Sequence, residues 1–77
     1  MKYQCEYTDT FAGEANYSWV RRATIEAPDN ASDRMLMRRA RKALSLEGVR
    51  GRVSTIGETL ELRPYGCCTV LFVTPEY

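Results

Sequence analysis

Histidine is absent from the chain. The commonest general base and the commonest metal ligand are therefore both missing, and no Ser–His or Cys–His nucleophile can form within the chain. Cysteine is scarce: Cys5, Cys67 and Cys68. No Cys-x-x-Cys spacing occurs among them, so zinc has no ligand framework, and we expect neither a metal nor a cofactor. Cysteine at these positions is expected as a small buried hydrophobe, with a Cys5 bridge to Cys67 or Cys68 as the less favoured alternative. No apolar run approaches the ~20 residues of a membrane helix, and Met1–Glu6 has no apolar signal core. With an odd cysteine count, these absences predict a cytoplasmic, reducing location. Repeats, low-complexity stretches and linkers are also missing.

What remains is ordinary globular composition, 44% hydrophobic and 27% charged over 77 residues, read as one domain spanning residues 1–77. A chain this short hides only about 60% of its unfolded surface, so the core is thin. Lys2–Tyr7 alternates in polarity and reads as a strand. The polar stretch Thr8–Asn16, with Asp9, Gly13 and Asn16, reads as a long loop. Tyr17–Ala27 reads as a second strand whose Tyr17 and Trp19 are expected to pack in the core, with Arg21 the odd member of their parity. Ser32 is placed to cap a helix from Asp33. Leu36, Met37, Ala40, Ala43 and Leu44 give that helix one apolar stripe through Leu46, and Gly48 is placed to end it. Val49–Ile56, Thr59–Arg63 and Cys67–Thr74 follow as strands. The last is apolar at both parities, which predicts a strand that is central or covered on both faces. The expectation is an α+β fold with a single helix packed on one face of an antiparallel sheet, in the order β-β-α-β-β-β.

The net charge of +1 conceals a lopsided distribution. Residues 1–33 carry −3 and residues 53–77 carry −2, while residues 34–52 carry +6. Arg34, Arg38, Arg41 and Lys42 fall on one helical stripe, Arg39 lies at its edge, and Arg50 and Arg52 follow. These seven are the candidate binding residues, for a protein surface or for nucleic-acid phosphate. The alternative is a solvated outer helix face, with or without pairing to the acids of the first strands. A candidate second contact is the Thr8–Asn16 segment, through Asp9, Phe11 and Glu14. Two carboxylates without a third ligand are poor grounds for catalysis or a metal, and Gly48–Arg52 matches no phosphate-loop spacing. An enzyme is not expected.

Two stretches resemble known sequences. Glu6–Arg22, which contains Thr8-Asp9-Thr10-Phe11-Ala12-Gly13-Glu14-Ala15-Asn16-Tyr17-Ser18-Trp19-Val20, resembles a segment of small uncharacterised phage and prophage proteins. Arg63–Val73 resembles their C-terminal strand. Together the two cover about a third of the chain. The size and layout are also similar to small anti-CRISPR proteins. These resemblances imply a phage-type protein in the cytoplasm of a bacterial host and carry no assigned activity. Together with the basic helix, the expectation is a binding protein that inhibits or modulates a host protein or ribonucleoprotein complex by occlusion, with direct nucleic-acid binding by that helix as the alternative; the thin core allows a monomer or a homodimer. No residue role transfers with the resemblances, because fold does not fix function.

Overall fold

The computed structural model describes residues 1–77. Along the chain run β1 (Lys2–Phe11), β2 (Glu14–Glu26), α1 (Asp33–Ala43), β3 (Gly51–Ile56), β4 (Thr59–Pro64) and β5 (Thr69–Glu76). The strands form one antiparallel five-stranded sheet in the spatial order β2-β1-β5-β4-β3. This arrangement differs from the chain order, because the last strand inserts between the first and the fourth. Its apolarity at both parities fits that position: Val70, Leu71 and Val73 are all buried, though Val70 lies on the opposite face from the other two.

Directly paired residues share a face, so the register defines two surfaces. Tyr3, Cys5 and Tyr7 of β1 lie with Ala23 and Ile25 of β2, Leu71 and Val73 of β5, and Leu60 and Leu62 of β4. The helix covers this face chiefly over β2 and β5, inserting Leu36, Met37, Ala40 and Leu44. Burying each of the larger side chains contributes about 1.5–3 kcal/mol. Ser32 caps the helix start, its Oγ accepting from the Met35 amide. The end comes earlier than Gly48. Ser45 takes a φ of 58°, and the Leu46 amide reaches back to the Arg41 carbonyl at 2.7 Å. The left-handed residue that closes such a motif is usually glycine; here a serine takes it, so Ala43 is the last helical residue and is exposed.

The segment Thr8–Asn16 is not a loop. β1 continues to Phe11, β2 starts at Glu14, and only Ala12 and Gly13 turn. Both have positive φ, 54° and 85°, which is the type I′ geometry that matches strand twist. The polar residues that suggest a loop instead build a bulge in β2, where Tyr17 has a φ of 54°. The buried Thr8 hydroxyl donates to the Trp19 carbonyl at 2.9 Å and accepts from the Tyr17 amide at 3.1 Å. Asp9 accepts from the Ser18 amide, the Ser18 hydroxyl and the Asn16 side-chain amide. One β1 dipeptide thus satisfies the groups that the extra residues free.

On the face away from the helix, Arg63 donates to Glu61 and, at 2.7 Å, to the Gly13 carbonyl. Its side chain ties β4 to the tip of the first hairpin, above the fully buried Val70. The three thiols are free: Cys5 is buried, whereas Cys67 and Cys68 are exposed in the bend before β5. The register places Val73, not a cysteine, beside Cys5. Burial pushes the Cys5 thiol up to about 11, because desolvation disfavours the thiolate.

Candidate basic interface

The helix rises 1.5 Å per residue, so Arg34 to Lys42 spans about 12 Å of surface. Arg34, Arg38 and Lys42 are exposed along it. The molecule holds three ion pairs, Met1 amine–Asp29, Arg22–Glu6 and Arg63–Glu61, and none involves residues 34–52. The acids of the first strands therefore do not pair with the helix, and its outer face is solvated. Glu6 is committed to Arg22 at 2.9 Å on the far face of the sheet, and the helix cations point into solvent.

The other cations of the stretch divide by position. Arg39 is exposed but tethered, donating to the Glu26 carbonyl at 2.6 Å. Arg41 is half-buried, and its Nε is buried without a partner. It sits one turn after Met37 and three residues before Leu44, at the margin of the apolar stripe, so its stem is covered there. Arg50 is exposed just before β3. Arg52 lies on the opposite face from the helix: its neighbour Val53 pairs with Leu62 on the helix face, and strand neighbours alternate. The stripe thus reduces to Arg34, Arg38 and Lys42, flanked by Arg39 and Arg41.

The C-terminal end of the helix meets an aromatic group that the sequence reading assigns to the core. Arg21 donates to the Leu44 carbonyl, placing a cation at the negative end of the helix dipole. Its guanidinium lies 6.0 Å from the Tyr7 ring centroid, and Trp19 meets Tyr7 edge-on at 5.4 Å. Trp19 is 41% exposed and Tyr17 48% exposed, so neither is a core residue. The signal is present in the sequence: Arg21 interrupts the apolar parity, and the helix cover stops at that point. Tyr17 stands on the other face, donating to Glu6, because the bulge resets its parity.

The second predicted contact is only partly available. Asp9 is consumed by the bulge, and its hydrogen bonds, Ser18 foremost, hold its carboxyl down to about 2. Phe11 and Glu14 flank the turn and are exposed, Phe11 at 75%. They lie at the hairpin tip, away from the helix N-terminus. No pocket indents the surface, no three metal-ligating side chains converge, and no helix is long and apolar enough to cross a membrane. No protein-family model, curated protein or solved structure matches the chain.

Proposed function

We propose that the chain is a small binding protein that works by covering an anionic surface of a larger complex with its basic helix. The observation that carries this reading is the exposed stripe Arg34, Arg38 and Lys42, which no acid of the chain neutralises. Like charges so spaced repel by a few tenths of a kcal/mol per pair, and of the three only Lys42, in the last turn, gains from the helix dipole. A smooth surface without a cleft suits occlusion better than catalysis. The resemblance to phage and anti-CRISPR proteins supports a bacterial host complex as the target. Phe11 at the hairpin tip would supply an apolar anchor.

One observation favours a second reading, direct contact with nucleic-acid backbone. Trp19 is exposed beside Arg21 at the end of the basic helix, an arrangement that lets a base stack next to phosphate contacts. The two readings separate in one experiment: titration against labelled duplex DNA, single-stranded DNA and RNA at low and near-physiological salt, beside affinity capture from host lysate. Nucleic-acid binding whose log K falls by about 0.9 per phosphate neutralised on duplex DNA, and which weakens in Trp19→Ala, selects the second. Capture of a defined host complex without nucleic-acid binding selects the first. The triple variant R34E/R38E/K42E should lose either activity while keeping its fold, since all three side chains are exposed. Undiminished binding by that variant overturns both readings.

A further inference from the structure

The sheet has two edges, and they are unequally guarded. The β2 edge carries the bulge at Tyr17 and Ser18 together with Arg21 and Arg22, devices that discourage strand addition. The β3 edge is guarded far less: it has no proline and no bulge, only the cation Arg52, and Arg52–Ile56 is exposed throughout. Val53 is 46% exposed and Ile56 63%. The helix lies chiefly over β2 and β5; Leu60 and Leu62 of β4 are still buried in the core, so the uncovered strand is β3 itself.

The backbone phase of the edge follows from one bond. The Tyr65 amide donates to the Arg50 carbonyl at 3.0 Å, so Arg50 and every second residue after it bond to β4. Gly51, Val53 and Thr55 then direct their N–H and C=O groups outward. We propose that this edge pairs with the same edge of a second copy, antiparallel about a two-fold axis at Ser54, giving a continuous ten-stranded sheet. Residues opposed across such an axis share a face, so the residue numbers of a pair must sum to an even value. Centring on Ser54 sets Val53 against Thr55 of the other copy, both with outward-pointing backbone groups. It also brings Arg50, just before the strand, up to the Gly57-Glu58 turn of the other copy, so that the two long side chains Arg50 and Glu58 meet at each end of the seam, twice by symmetry. Centring on Val53 leaves Glu58 unmatched, and centring on Thr55 shortens the overlap to the strand's last residues. Arg50 has no ion-pair partner within its own chain. Glu58 is exposed and accepts only the Tyr77 hydroxyl, through Oε2, leaving Oε1 for Arg50.

Sedimentation and light scattering on the purified chain, from low-micromolar to near-millimolar concentration at low salt, test the pairing. The expected mass rises from 8.8 kDa to twice that value. Arg50→Glu alone and Glu58→Arg alone should each remain monomeric, since each opposes like charges. An equimolar mixture of the two should recover the dimer, because the carboxylate introduced in one variant then meets the guanidinium introduced in the other. Thr55→Pro removes an outward N–H that no bond within the chain uses, and should give a folded monomer by circular dichroism. A wild-type chain that stays at monomer mass throughout overturns the proposal. So does self-association of both single-charge variants at wild-type strength.

Discussion

The two hairpins of this sheet share the length of their turns and little else. Each closes with two residues: Ala12-Gly13, both at positive φ, and Gly57-Glu58, with Gly57 at 61°. The first is long, is knit by side chains through Thr8 and Asp9, and lies partly under the helix. The second is short, its outer strand held only by backbone bonds to β4 and left uncovered. Polar side chains thus stabilise one hairpin internally, whereas the other depends on close backbone fit. The hairpin whose interactions are satisfied within the chain is also the one whose edge is blunted.

That contrast can be broken at three points. The largest effect is expected at Gly51. A Cβ there would meet the Arg63 carbonyl oxygen at 2.2 Å and the Pro64 Cα at 2.6 Å. Backbone atoms cannot rotate away, so Gly51→Ala should cost about 3 kcal/mol, seen as a lower urea midpoint with selective loss of amide protection in β3. Next is Thr8→Val, which keeps the shape but removes the fully buried hydroxyl that closes the bulge. The Tyr17 amide and Trp19 carbonyl lose their partner, at about 1–2 kcal/mol. Thr55→Val on the bare strand should change the urea midpoint little, and an equal loss at both positions would dissolve the distinction between the hairpins.

The smallest effect is the acid sensitivity of the first hairpin. Asp9 has its folded value depressed from 3.8 to about 2, chiefly by the Ser18 hydroxyl and then by the Asn16 amide. The contribution of these bonds is therefore complete above pH 3.8 and is lost as pH falls through about 2. Asp9→Asn should flatten stability against pH in that window, measured by acid titration of the Trp19 fluorescence.

Legibility from sequence followed the same division. The two-sided apolarity of β5 marked a central strand, and the stripe Leu36, Met37, Ala40 and Leu44 marked the buried side of the helix. Ser32 marked its start. The first hairpin misled because Thr8, Asp9, Asn16 and Ser18 are residues that make loops, and here the same capacity to bond backbone groups closes a bulge within a ladder. The helix end misled because Ser45 adopted a conformation that glycine usually supplies. At the candidate interface, helical spacing located Arg34, Arg38 and Lys42 correctly on the outer face, but spacing along a chain does not say which side of a sheet a later strand presents. Arg52 therefore parted from the helix cations, and Trp19 emerged beside them.

The central position of β5 has a consequence for how the chain reaches its fold during synthesis. Lys2 ends up beside Glu76, and the fourth strand reaches the first only through residues 69–76. Until that stretch has been made, the nascent chain holds two hairpins with no strand between them and a helix whose apolar side has half a floor. Local pairing can form early, but the joining contacts have the longest sequence separation available and close the costliest loop. Completion is therefore a single late event that locks both hairpins at once. A chain truncated before residue 69 and tethered to the ribosome by a flexible linker long enough to clear the exit tunnel should accordingly remain protease-sensitive throughout the helix, even with both hairpins exposed.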